Sequence, residues 1–88
     1  MKDKLKGLVK LNQEKKGSED ELFYFILDQL GKHIDEVKEL KMKKDPHLLK
    51  EVADMMLLSN MLSINENVSD DIILERINKI EGKIKNEG

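Results

Sequence analysis

Aliphatic residues recur at helical spacing along most of the chain, and this periodicity constrains the fold more than any other feature of the sequence. The longest series contains Leu22, Ile26, Leu30, Ile34, Val37 and Leu40. Residues three or four apart share one face of a helix, so the series predicts a long amphipathic helix over about residues 19–43. Ser18, with Glu21 three residues later, has the pattern of a capping box and predicts where this helix begins.

Three short breaks divide the chain into four helical segments. Gly17 is a typical helix stop and ends the first segment. Asp45 and Pro46, in the stretch KKDPH, predict a cap and a first turn for a third helix over about residues 46–63. Ser69, followed by two aspartates, predicts the start of a fourth helix.

The first and last segments are also amphipathic. Leu5, Leu8 and Val9 share one side of the first, and the fourth has an isoleucine stripe made of Ile73, Ile77, Ile80 and Ile84. No strand pattern or repeat competes with this reading. The sequence therefore predicts a single all-α domain over residues 1–88, a four-helix bundle.

Composition narrows the class of protein further. A chain of 88 residues buries only about 60% of the surface that its unfolded form exposes, so we expect oligomerisation to complete the bundle. The absence of cysteine excludes disulfides and thiolate metal sites. No apolar run is long enough to cross a membrane and no secretory signal opens the chain, so we expect a cytoplasmic protein without a membrane partner. Acidic and basic blocks alternate without interleaved aromatics, which argues against nucleic-acid binding.

Asp54 interrupts the apolar stretch KEVADMMLLSNML, and it needs a cation, a proton or water nearby. Counted outward from residue 45, the centre of the predicted turn, Glu39 and Glu51 are equally distant, and so are Glu36 and Asp54. Equal distance from the turn of an antiparallel hairpin means equal height, so we expect the four carboxylates to converge. Converging acids repel one another, and a hard divalent cation such as Mg²⁺ removes that repulsion.

The two acidic pairs, Glu36-x-x-Glu39 in IDEVKEL and Glu51-x-x-Asp54 in LLKEVADMMLLSNML, resemble the signature of the all-α nucleoside triphosphate pyrophosphohydrolases, the MazG-like superfamily. The resemblance covers roughly residues 20–85. It implies an enzyme that hydrolyses an NTP or dNTP to a monophosphate and pyrophosphate, as house-cleaning enzymes do. The four acids would be the catalytic metal ligands for Mg²⁺, with Mn²⁺ as a substitute ion.

The same resemblance assigns further roles and an assembly. Asp35 would contact metal-bound water without binding the ion itself. Basic and amide side chains of the last helix would face the substrate phosphates, and here they are Arg76, Asn78, Lys79 and Lys83. The superfamily builds dimers or tetramers, so the resemblance implies a homodimer or homotetramer.

Other interpretations stay open for these residues. Glu36 and Glu39, like the basic residues of the last helix, fit an ordinary solvated face, and Asp54 could pair with a lysine in a plain oligomerisation bundle. His33, one turn before Glu36, is interpreted as a partly buried structural histidine. The alternative function is a catalytically silent helical module that binds a nucleotide or a partner protein.

Overall fold

Four α-helices make up the computed structural model, which describes residues 2–87: α1 (Lys2–Lys16), α2 (Glu19–Lys43), α3 (Leu48–Asn65) and α4 (Asp70–Glu87). The described residues contain no strand, so the predicted all-α fold is confirmed. Within the same range, none of the helices combines the length and the apolar character that a membrane span requires.

The joint between α1 and α2 follows the sequence signals closely. Gly17 has a φ of +106°, a backbone conformation that side-chain-bearing L-residues rarely adopt, and its N–H donates to the Gln13 carbonyl at 2.9 Å. The hydroxyl of Ser18 accepts a hydrogen bond from the Glu21 backbone N–H at 3.1 Å, which caps α2. The predicted start of α2 is therefore confirmed.

The joint between α2 and α3 is longer than the sequence predicts. α2 ends at Lys43 and is capped by Lys44, whose φ of 55° is left-handed and whose N–H donates to the carbonyls of Leu40 and Lys41. Asp45 caps a separate turn instead of α3, because its carboxylate accepts the His47 backbone N–H at 2.9 Å. As a result α3 begins at Leu48, two residues after the predicted start.

The joint between α3 and α4 uses the same chemistry as the first. Asn67 has a φ of 55° and ends the helical path of α3. The Ser69 hydroxyl accepts the Ile72 backbone N–H at 3.3 Å, as expected for a residue that caps α4.

Helices α1, α2 and α3 pack together, and we call them the three-helix body. Its core is aliphatic, with Leu22 and Ile26 fully buried at its centre. The other buried side chains are Leu5, Val9 and Met61, and Phe25, Leu30, Leu58, Leu62 and Ile64 pack against them. Burial of each large aliphatic side chain stabilises the fold by roughly 1.5–3 kcal/mol.

Asn65 is the one buried polar side chain in the described range, only 4% exposed, and it ties the three helices of the body together. Its oxygen accepts a hydrogen bond from Gln13 of α1 at 2.8 Å. Its amide nitrogen donates to the Glu19 carbonyl at the start of α2 and to the Glu66 side chain, both at 3.0 Å. Each helix end is thus held at a fixed height against its neighbours.

Helix α4 packs against none of the three helices of the body. Its large aliphatic side chains are about half exposed, from 45% for Ile73 to 64% for Ile84. The radius of gyration, 15.6 Å, exceeds the value of about 12 Å typical of a compact domain of this length. The four helices therefore do not close into one bundle within a single chain.

Candidate metal centre

The register between α2 and α3 decides which acidic residues meet. Two contacts cross this pair, His33 with Glu51 and Glu19 with Asn65. In each contact the two residues are equally distant from Met42 along the chain, so Met42 is the centre of the hairpin. The prediction placed the centre at residue 45. The four residues between the helices are not helical. Each of them can advance the chain by more than the 1.5 Å that a helical residue covers. The first residue of α3 therefore lies beside a point of α2 that is further from the joint than the prediction has it.

Three side chains meet where the first turn of α3 lies beside α2. His33 Nδ1 lies 2.5 Å from Glu51 Oε2 and 3.8 Å from Glu36 Oε2. One ligand atom from each of the three residues lies within 4.8 Å of the other two. His33 and Glu36 are three residues apart on one face of α2, and Glu51 reaches them from the first turn of α3. We call these three residues the His33 cluster.

The pKa values of the two carboxyl groups in the His33 cluster are shifted in opposite directions. The pKa of Glu36 is raised, first by a hydrogen bond that its protonated form donates to Glu51 and then by the negative charge of Glu51. The pKa of Glu51 is lowered because His33, and to a smaller extent Glu36, donate hydrogen bonds to it. The site therefore concentrates negative charge that a proton or a cation can neutralise.

Asp54 lies beside this cluster, at the edge of an apolar groove. Its charge contributes to the raised pKa of Glu36. The groove has a volume of about 230 Å³, and its lining combines the polar residues Gln29, His33 and Asp54 with apolar side chains, among them Phe25 and Leu58. Asp54 is exposed, so water solvates the carboxylate that interrupts the apolar stretch. In the described part of the chain it forms no ion pair with a lysine or arginine.

Glu39 and Asp35 lie on α2 outside the cluster. Glu39 forms an exposed ion pair with Lys43 at 2.7 Å, one turn later on the same helix, and this hydrogen bond lowers the pKa of Glu39. Asp35 is exposed. The structure thus brings together Glu36, Glu51 and Asp54 from the predicted ligands and places Glu39 one turn closer to the joint.

The predicted phosphate-binding residues are all on α4, namely Arg76, Asn78, Lys79 and Lys83. They are exposed, and α4 does not pack on α2 or α3. A single chain does not bring them against the carboxylates of the cluster.

His33 is the functional candidate that sequence reasoning interpreted as structural. Its side chain is 19% exposed, so partial burial was correctly expected. The available signal was its spacing, since it lies three residues before Glu36 and shares a face with it. The contact with Glu51 depends on the register between two helices, which spacing along one helix does not give.

The donor set of the cluster fits a divalent cation. Ligands that bind one ion at 2.0–2.2 Å lie roughly 3–4 Å from each other, and the 3.8 Å between His33 and Glu36 falls in this range. The 2.5 Å between His33 and Glu51 is a hydrogen bond, which a bound ion would replace. One imidazole and several carboxylates are common ligands for divalent metals in proteins.

Comparisons of the chain with protein-family models, with curated proteins and with solved structures find no match.

Proposed function

We propose that this protein is a metal-dependent nucleoside triphosphate pyrophosphohydrolase, which hydrolyses an NTP or dNTP to a monophosphate and pyrophosphate. The observation that carries the proposal is the meeting of Glu36 and Glu51 from adjacent antiparallel helices, with Asp54 beside them. The geometry supports an ion-binding site. The reaction is proposed because the spacing of these acids along the chain resembles that of the MazG-like superfamily.

The residues of the site have separate tasks in this proposal. Glu36 and Glu51 would hold a divalent ion, Mg²⁺ or Mn²⁺, with Asp54 beside them. Such an ion, when bound, neutralises phosphate charge and lowers the pKa of an attacking water. Asp54, which lines the groove, would orient this water by accepting a hydrogen bond from it. The apolar side chains of the groove would exclude bulk water from the reacting phosphate.

We also propose that the active form is a homodimer or homotetramer in which α4 of one copy supplies the basic residues. The isoleucine stripe of α4 is about half exposed, and a second copy of the chain would cover it. Arg76, Lys79 and Lys83 carry positive charge, which complements the negative charge of Glu36, Glu51 and Asp54 on another copy. Assembly through α4 would therefore bring the phosphate-binding side chains to the metal centre.

The test is pyrophosphate release from a panel of NTPs and dNTPs in the presence of Mg²⁺ or Mn²⁺. We expect release from at least one nucleotide by the wild-type protein and a loss of about a hundredfold or more in Glu51→Gln. Glu75→Gln is the matched control, because it removes an exposed acid from α4 that lies outside the cluster. Absence of pyrophosphate release from every nucleotide by correctly folded protein would reject the enzymatic function.

A catalytically silent module that binds a nucleotide is the second candidate, and one observation favours it. Glu39, a predicted metal ligand, is held by Lys43 instead of reaching the cluster. Calorimetric titration with a non-hydrolysable nucleotide separates the two functions. Binding without turnover of the corresponding natural nucleotide would favour the silent module.

A further inference from the structure

We propose that His33 is a ligand of the bound ion and that it raises the affinity of the site for first-row transition metals, such as Mn²⁺, Co²⁺ or Zn²⁺, more than its affinity for Mg²⁺. This inference rests on the metal centre of the proposed function, but not on the reaction assigned to it. It extends the set of ligands beyond the acidic pairs that the sequence suggests.

The imidazole of His33 lies in a position from which it can bind the ion. His33 Nδ1 is directed at the two carboxylates of the cluster, at 2.5 Å from Glu51 and 3.8 Å from Glu36. The same ring nitrogen thus approaches one acid on α2 and one on α3, and all three ligand atoms lie within 4.8 Å of one another. An ion bound by Glu36 and Glu51 would therefore lie within reach of this nitrogen.

The imidazole of His33 is also already ordered. The His33 side chain is 19% exposed and that of Glu51 is 24% exposed. Their hydrogen bond fixes the ring orientation before an ion arrives, so that binding loses little side-chain freedom. A ligand held in this way contributes more affinity than a mobile surface histidine.

The donor atoms of the cluster also favour particular ions. Mg²⁺ binds oxygen ligands and retains much of its water, whereas imidazole nitrogen favours Zn²⁺ and other first-row transition metals. A site of one imidazole and two or three carboxylates is consequently more favourable for Zn²⁺ or Co²⁺ than a site of four carboxylates would be. Replacement of the imidazole should reduce this preference.

The chain offers a matched control, because it contains only two histidines. His47 lies in the exposed turn before α3 and bonds to Asp45 at 2.9 Å, so it is also a histidine beside a carboxylate. Its side chain is 72% exposed, against 19% for His33. Any general affinity of exposed histidines for Zn²⁺ would appear equally at His47.

The experiment titrates the full chain with Zn²⁺ alone and with Mg²⁺ alone, for wild type, His33→Gln and His47→Gln. We expect His33→Gln to lower the affinity for Zn²⁺ by about tenfold or more and the affinity for Mg²⁺ much less. His47→Gln should bind both ions like the wild type. Equal Zn²⁺ affinity in wild type and His33→Gln would overturn the proposal.

A second measurement needs no variant and holds even if His33→Gln folds poorly. In ¹⁵N spectra of the two imidazoles of the wild type, Zn²⁺ should shift the Nδ1 signal of His33 and leave both His47 signals in place. Unchanged His33 signals at saturating Zn²⁺ would overturn the inference. Nucleotide turnover with Mg²⁺ in that case would leave the proposed function intact, whereas Zn²⁺ ligation by His33 without any turnover would reject the function alone.

Discussion

Ile26 and Ile77 are each the eighth residue of an amphipathic helix, yet their surroundings are opposite. Ile26 in α2 is fully buried, whereas Ile77 in α4 is 53% exposed. The first belongs to the three-helix body, which has a continuous aliphatic core, and the second belongs to a helix that packs against none of the other described helices. Helical spacing of aliphatic residues thus predicts that a face will be buried, but not what will bury it.

The three-helix body and α4 are stabilised by different interactions. The body has tertiary packing and the Asn65 hydrogen bonds. An isolated helix of 18 residues is only marginally stable in water, so α4 depends on its cap, on exposed ion pairs such as Glu81–Lys85 and on any partner. Mutations of the same chemistry should therefore have different effects in the two regions.

The largest expected effect comes from the same truncation made in both regions. Ile26→Ala should lower the free energy of unfolding by about 2–5 kcal/mol, because it leaves a cavity in the core. Ile77→Ala should change it by less than about 0.5 kcal/mol in the monomer, because the side chain is already half in water. Urea unfolding at low protein concentration measures both. A similar loss at the two positions would mean that α4 is part of the folding core.

Assembly is the next test of the difference. Ile77→Lys with Ile80→Lys should abolish self-association by placing charge in the apolar stripe, while the helix content of the body stays unchanged. Light scattering after size exclusion, at several protein concentrations, measures the mass. The matched control is Asn78→Lys with Asn86→Lys, which adds the same charge on the polar side of α4. A monomeric wild type at all concentrations would contradict the proposed assembly.

Asn65 offers a polar version of the same comparison. Asn65→Ala should destabilise the body by about 1–3 kcal/mol, since the Glu19 carbonyl and the Gln13 amide lose a buried partner. Asn78→Ala on the exposed surface of α4 should be neutral or slightly stabilising, because alanine is the better helix former. Thermal unfolding of both variants provides the measurement, and equal destabilisation would show that Asn65 is not a special contact.

The smallest expected effect is electrostatic and confined to the body. The raised pKa of Glu36 means that its contribution to stability is full below its unfolded value and is lost as the pH rises through the folded value. In metal-free buffer, wild type should therefore lose stability relative to Glu36→Gln as the pH rises above 4.5, the ordinary value of a glutamate. Melting temperatures as a function of pH, with Glu75→Gln as the control, test the sign. A divalent ion at neutral pH should then stabilise the wild type and not Glu36→Gln.

Much of the fold is predictable because its signals are local. Gly17, Ser18 and Ser69 act through backbone hydrogen bonds within a few residues, and they mark the joints as expected. The buried position of Asn65 is not predictable in this way, because an asparagine near a helix end is typical of an exposed loop. Its buried role depends on Gln13 and Glu19, which are distant in the chain.

The candidate site is only partly predictable for the same reason. That α2 and α3 present acids to each other follows from their short connection, and Glu36, Glu51 and Asp54 lie together. The partner of each acid depends on the register, which the turn at Asp45 shifts. This shift brings His33 to Glu51 and leaves Glu39 to Lys43.

The joint at Gly17 makes the chirality of a single residue a determinant of the hairpin between α1 and α2. The β-carbon of an L-residue built there meets no atom within 4 Å. Space therefore does not oppose an L-residue, and only the backbone φ of +106° does. A D-amino acid favours that angle by mirror symmetry. D-alanine introduced by chemical synthesis should consequently stabilise the protein by about 0.4–1 kcal/mol, whereas L-alanine at the same position should weaken it.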